Sequence, residues 1–412
     1  MSTEALDTPV LQAYRLEVRE WLSAHVQPLA RAADGRLPPS AGSKDSPERV
    51  ARARAQQAVL FDAGFAGISF PTEYGGAGLD IAHERVYSEE AAGYDVPTDV
   101  FAVSINILGR TLLEHGTEEQ RLHHLPRILR GDEIWLQLLS EPSGGSDLAG
   151  LITRATRDGD GYVLTGQKTW STGAQHADFS MCPARTSWDV PKHQGITMFI
   201  VDLRASGVAI RPIDQIDGGR EFCEEFLDDV VVPADRVVGE VNGGWAIVRG
   251  LLEIEHEWVG RSGGVGNPTI DVDDLMAMLR RRGLAADVGA RRKLVEIHAL
   301  DTVHRLLAAR IGKGVADGTL PSGFGGLLKL GNDHVIQRRA EAILAWSGSG
   351  AIAWPPGTDD ETHVTDYLRS RRLSIAGGTS EIQRNNISER ALGLPREPAF
   401  DRDVPFSQVP KN

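Results

Sequence analysis

Cysteine is nearly missing from this chain: Cys182 and Cys223 are the only two in 412 residues, with no Cys-x-x-Cys and no cysteine–histidine cluster. A disulfide framework and a metal site are therefore not expected, and the usage fits a reducing compartment. No apolar run approaches the roughly 20 residues that span a bilayer. The opening stretch, MSTEALDTPVLQAYRLEVREWL, is polar and acidic, unlike a signal or transit peptide, so a cytoplasmic location is expected. A basic excess is missing too. The net charge is −13 at pH 7, which disfavours a nucleic-acid partner, and the basic runs at 279–283 and 291–293 read as solvated helix ends. No internal repeat or low-complexity tract occurs. What remains is ordinary for a soluble protein, 41% hydrophobic and 25% charged, with length enough for two or three domains.

Texture changes twice along the chain. Residues 9 to about 133 carry apolar side chains at helical spacing: VLQAYRLEVREWLSAHV (10–26), then SPERVARARAQQAVLFDAG (46–64), then TEEQRLHHLPRILRG (117–131) with a threonine start and a glycine stop. From 134 the texture changes: GDGYVLTGQKTW is a turn followed by alternation, and GITMFIVDL, GVAIRPI and EEFLDDVVVP are short strand-like runs bounded by Gly, Pro and Asp. From 244 long amphipathic stretches return, at 290–315 and 327–346. The expectation is an α+β multidomain chain. It has a helical domain at 1–133, a β-domain of barrel or sandwich type at 134–243, and a helical domain resembling a four-helix bundle at 244–412.

Three glycine-bearing stretches stand out: LSEPSGGSDLAG (139–150), TGQKTWSTGA (165–174) and IAGGTSEIQRNNI (375–387). In the third, two glycines precede Thr379 and a helix-forming run that stops at Gly393. A glycine turn feeding a helix start offers backbone N–H groups to an anion, although helix caps of the same composition are common.

Taken together, these stretches resemble the acyl-CoA dehydrogenase family, flavoenzymes that desaturate acyl-CoA thioesters. PTEYGGAGL (71–79), EHGTEEQ (114–120) and LDDVVVPADRVVGEVNGGW (227–245) match further family blocks in order, so the resemblance covers nearly the whole chain. It implies bound FAD. Gln137, Leu138, Leu139, Ser140, Gly145 and Ser146 would lie along the cofactor, with Gly144 and Gly145 letting backbone approach closely. Trp170 would pack on the flavin ring. Ser171 and Thr172 would lie at its reactive edge, and Gly378, Thr379 and Glu381 would hold it from the C-terminal signature. Ser146, His256 and Gly377 would meet the substrate. The resemblance also implies an acyl-CoA substrate, a place in fatty-acid or lipid metabolism, an electron-transfer flavoprotein or similar acceptor, and a homo-oligomer (dimer or tetramer) or heterotetramer.

The chemistry demands a carboxylate aimed at a weakly acidic α-proton, and donors for the charge that develops on the thioester oxygen. Many members carry that glutamate just before the Gly-Thr of the C-terminal signature. Here the position is Gly377, whose N–H is still able to bind the carbonyl oxygen. A minority, isovaleryl-CoA dehydrogenase among them, place the base shortly after the Gly-Trp that opens the last domain. Counting from Gly244-Trp245 assigns it to Glu255, with Glu253 and Glu257 pointing elsewhere on a helix. Two departures remain. The arginine usual after that glutamate is His256, and the Arg-x-x-Phe-Gly segment that reaches a neighbouring subunit's FAD is not evident, with Arg282 and Arg291 as its possible substitutes. Two rival readings stay open: an FAD-binding or non-catalytic subunit of a heteromeric dehydrogenase, and a flavin monooxygenase or N-oxygenase on the same fold.

Overall fold

A computed structural model of the chain describes residues 7–29, 46–262, 272–354 and 356–410. They form two units. One contains residues up to 214, residues 220–254 and residues from 400; the other contains 215–219 and 255–399.

The first unit begins with helices α1 (Pro9–His25), α2 (Pro47–Asp62), α3 (Ile81–Ala91), α4 (Thr98–Val103), α5 (Arg110–His115) and α6 (Glu118–Arg130). Their ends follow local chemistry. Thr8 caps α1 through Leu11 N, with Pro9 in the first turn. Thr117 and Gln120 form a reciprocal capping box on α6, which stops at Gly131 with φ +84°. Strands β1 (Trp135–Gln137), β2 (Arg154–Asp158), β3 (Gly161–Thr172), β4 (Phe179–Arg185), β5 (Ile196–Asp202), β6 (Val208–Pro212), β7 (Phe222–Val232) and β8 (Val237–Val238) form one sheet. Its order is β6-β7-β3-β2-β4-β5-β8, with β1 added in parallel beside β4. Phe101 and Val50 from the helices pack into one apolar core with Leu136, Leu164, Cys182 and Phe199 of the sheet.

The strand-like runs at 159–170, 195–203, 207–213 and 224–233 are β3, β5, β6 and β7. Strand β4, FSMCPAR, was not expected. Six of its seven residues are buried, so both faces are covered and no two-residue period survives in the sequence.

Helix α7 (Gly244–Ser262) begins in the first unit. The second unit holds α8 (Val272–Arg281), α9 (Val288–Ala316), α10 (Gly325–Ser347), α11 (Gly350–Ala353), α12 (Asp359–Ser370) and α13 (Ser380–Asn386). Leu275, Leu279, Leu294, Ile297, Ile343 and Trp346 join α8, α9 and α10 in one core. The architecture is thus the expected one: helices, a β-sheet, helices.

Cys182 and Cys223 are both free and buried, and burial pushes the Cys182 thiol up to about 11. Neither should react with a thiol reagent at pH 8 in the native protein. Two equivalents should react once the chain is unfolded, as a colorimetric thiol titration with and without denaturant will read.

Candidate functional site

Two of the glycine-bearing stretches meet in the first unit, and a charge pair joins them. The loop after β1 begins with Leu138, whose N–H donates to Met181 O at 3.0 Å. Glu141, 4% exposed, sits inside it. One carboxylate oxygen accepts from Ile152 N at 2.7 Å, the other from Thr153 N at 2.9 Å and from Lys168 Nζ at 2.9 Å. Lys168, on β3, is fully buried and donates also to Pro183 O at 3.0 Å and Leu139 O at 3.4 Å. Thr169 N closes the same contact by donating to Ser140 O at 3.0 Å. Burial pushes the Glu141 carboxyl up, but Lys168 and the Thr153 and Ile152 donors outweigh it and leave its pKa lowered.

Beyond Thr169 the β3–β7 register shifts by one residue. Trp170 is the extra residue, in left-handed backbone at φ +69°. The shift turns Thr169 and Ser171 inward and leaves Trp170 and Thr172 exposed, Trp170 at 59%. Phe222 supports the indole edge-on at 6.1 Å. Ser171 Oγ donates to Glu225 Oε1 on β7. Gly145 and Ser146 lie on the exposed rim of the loop, and a Cβ at Gly145 would come within 3.4 Å of Ser140 Oγ.

A lysine and a tail tie the rim down. Lys192 Nζ donates to Asp147 at 2.8 Å and to Asp401 at 2.5 Å. Arg185, fully buried, donates to Ala149 O, Leu151 O and Lys192 O, with Phe406 of the tail 3.6 Å from its guanidinium.

In the second unit, Gly377 and Gly378 adopt φ +65° and +86°, and Thr379 caps α13 by accepting from Ile382 N at 3.2 Å. Gln383 Nε2 donates to Gly377 O at 2.9 Å. A Cβ on Gly378 would lie 2.8 Å from that amide nitrogen, whereas one on Gly377 would meet nothing within 4 Å. Glu381 is exposed, 3.5 Å from Arg384.

On α7, Ile247, Val248 and Leu251 are buried. Glu255 follows Leu251 by four residues and continues that face, half-buried, while Glu253 lies on the exposed side with Ala246 and Arg249. The side chains of His256 and Glu257 lie outside the described residues. Arg282 is paired with Asp360, and Arg291 is exposed, reaching Ala285 O at 3.4 Å.

Several expected contacts take a different form. Leu138 is 1% exposed, so its side chain belongs to the core. Ser171 faces into the sheet. The gatherers of the loop, Glu141, Lys168, Arg185 and Lys192, were not singled out, because nothing in their spacing announces which partner each meets. His123, His124 and Glu133 bring potential ligand atoms within 4.8 Å. Both His124 nitrogens are in use, however: Arg236 donates to Nε2 at 2.9 Å, and Nδ1 pairs with Glu133 at 2.8 Å.

Three family models match the chain: acyl-CoA dehydrogenase N-terminal domain at 8–132, middle domain at 137–230 and C-terminal domain at 271–392. Acyl-CoA dehydrogenase FadE34 of Mycobacterium tuberculosis is 37% identical over 83% of this chain, which spans 46% of that relative's length. Acyl-CoA dehydrogenase IpdE1 of Mycolicibacterium smegmatis is 35% identical over 94% of this chain and 98% of its own. A solved structure described as the Tcur3481-Tcur3483 steroid ACAD superposes with a TM-score of 0.76 at 29% identity, covering 95% of this chain and 99% of that one.

The Glu141–Lys168 pair supplies a stability test. Lys168→Met leaves a buried carboxylate unpaired and should cost roughly 3–5 kcal/mol. Because the folded pKa of Glu141 is lowered from 4.5, its contribution is present above that value and lost as pH falls through the folded pKa. Denaturant melts at pH 7 and pH 3.5 should therefore separate wild type from Lys168→Met far more at the higher pH.

Proposed function

Because the chain belongs to the acyl-CoA dehydrogenase family, we propose that it desaturates the α,β bond of an acyl-CoA thioester. FAD would be its cofactor, Glu255 its base and an electron-transfer flavoprotein or similar carrier its acceptor. The carrying observation is the displayed Trp170: a large aromatic, 59% exposed, on a strained bulge beside the exposed Thr172. Such backbone costs of order 1–3 kcal/mol and marks functional positions. A planar ring laid on Trp170 would bury it and bring its edge to Thr172.

The residues fit a flavin dinucleotide. Gly145 and Ser146 offer an open rim to a pyrophosphate, and Gly378 holds a backbone φ of +86° that L side chains rarely adopt. Gln137, Leu139 and Ser140 would contribute main-chain groups, as would Leu138 and Ser171, whose side chains face inward. Thr379 and Glu381 would hold the cofactor from the second unit. FAD, when bound, supplies the hydride acceptor.

Glu255 would take the α-proton. Its place on the buried face of α7 supports this, since a partly desolvated carboxylate is a stronger base than an exposed one. The Gly377 N–H would donate to the thioester oxygen as charge develops there. Ser146 and His256 would meet the rest of the substrate. The likeness to a structure described as a steroid ACAD supports an acyl group carrying a ring system. Its paired designation supports a heterotetramer beside the homo-oligomer. Among the described residues no helix is long and apolar enough to cross a membrane; the reading places the enzyme in the cytoplasm, with domains at 1–133, 134–243 and 244–412.

The purified protein should be yellow and release FAD on denaturation. Ser146→Ala and Thr379→Ala should each weaken FAD retention by roughly 1.5–3 kcal/mol. Glu255→Gln should keep the flavin yet slow its anaerobic bleaching by substrate about a hundredfold or more, with Glu253→Gln mild. Stopped-flow absorbance reads all of these. Bleaching of Glu255→Gln at the wild-type rate would assign the base elsewhere. Oxygen consumption without bleaching by any acyl-CoA would favour the monooxygenase reading.

A further inference from the structure

Next to the Trp170 bulge, on the neighbouring strand, lies an acid that the proposed chemistry does not use. Glu225, on β7, is 0% exposed and stands opposite Lys168 in the β3–β7 ladder. Register alone suggests an ion pair, but Lys168 is already engaged. Its ammonium has three protons, and Glu141, Pro183 O and Leu139 O lie within 3.4 Å of it. Among the described residues the Ser171 hydroxyl donates to Glu225 Oε1, while Oε2 is buried with no hydrogen-bond partner.

A carboxylate with one oxygen orphaned in a dry sheet interior is costly to keep charged, and the neutral carboxylic acid costs less. The surrounding charges lean the same way. Glu224 precedes it on β7, Glu141 lies across Lys168, and on β4 the Cys182 thiol is fully buried. From β6 the residue opposite is Ile210, with Arg211 opposite Glu224. Burial outweighs the three groups that favour the ion, the Ser171 hydroxyl, Lys168 and the residue's own backbone N–H, and raises the Glu225 pKa to about 7.

We propose that Glu225, held as a neutral acid against the Ser171 hydroxyl, is a positioning residue that fixes the Trp170–Thr172 segment for the flavin. This rests on reading that segment as the flavin's platform. Ser171 is the inward residue between the two outward ones, so its hydroxyl is the tether that fixes how the bulge is held. A segment that opens lets water reach Glu225, whose pKa then returns toward its ordinary 4.5. The ordered segment binds the proton more tightly than the opened one. Order is therefore greatest below pH 4.5, declines between 4.5 and about 7, and is level above.

Hydrogen–deuterium exchange over residues 167–173, corrected for intrinsic rates and followed from pH 5 to 8, tests this in FAD-loaded and FAD-stripped protein. In wild type the opening constant should rise by up to about tenfold per pH unit between pH 5 and 7, then flatten. Glu225→Gln keeps the shape without the titration and should show no such slope. Glu225→Leu, an apolar filling that needs no partner, covers the case in which Gln folds poorly, and should be equally flat. A wild-type profile with no slope, or a slope that survives in both variants, overturns the assignment of Glu225. If the slope depends on Glu225 but FAD gives no protection to residues 167–173, the platform reading fails and the flavin-positioning role falls with it. If FAD protects the stretch while the slope ignores Glu225, the platform stands and Glu225 is a structural residue only.

Discussion

Lys168 and Glu141 are both sealed from water, at 0% and 2% side-chain exposure. Neither tolerates the loss of the other, because an unpaired charge in that interior has no solvent to turn to. What they join makes the constraint far-reaching. Glu141 lies in the loop that carries Gly145 and Ser146, and Lys168 lies two residues before Trp170. One 2.9 Å contact thus sets the rim and the aromatic platform at a fixed distance, and the main-chain bond from Thr169 to Ser140 repeats the link. Polar hydrogen bonds absorb both charges, and Ala149 and Leu151 at the loop's end pack with Ile196, which together explain how so glycine-rich a stretch holds a shape.

Much of this was legible in the sequence, and the illegible parts have physical reasons. Helix ends were marked by Thr117 and Gly131, whose roles depend on immediate neighbours. Strand β3 was readable from its alternation, and β5, β6 and β7 as short runs bounded by Gly, Pro and Asp. Strand β4 carried no period, because burial on both faces erases it. The stretches around Ser146, Trp170 and Thr379 were recognisable, but not how they are held. Whether Ser171 faces a ligand or Glu225 depends on a bulge that shifts the pleat at Trp170. A non-glycine residue at φ +69° leaves no trace in composition. The buried acid at 225 is read from sequence as one more charge in EEFLDD; only the ladder puts it next to the platform.

Gly377 and Glu255 illustrate how a helix settles an ambiguity that a list of acids does not. Three glutamates at alternate positions along α7 fan out by about 200° per pair. The burial of Val248 and Leu251 fixes which face is inward, and Glu255 falls on it where Glu253 does not. At Gly377, meanwhile, open space surrounds the absent Cβ, yet its φ of +65° resists any other residue. The backbone conformation and the missing side chain go together, and that turn is shaped by its main chain alone.

The tail has a consequence in time. Lys192 and Asp401 are 209 residues apart in sequence. At roughly 5–20 residues per second, a ribosome needs about 10–40 seconds to deliver the second after the first. By the end of that interval all eight strands have been synthesised, but Arg185 still lacks its Phe406 cover and Lys192 has only Asp147 to answer. The rim of the loop therefore matures last, after the intervening helices have been made. The first unit cannot be finished in the order in which it is translated.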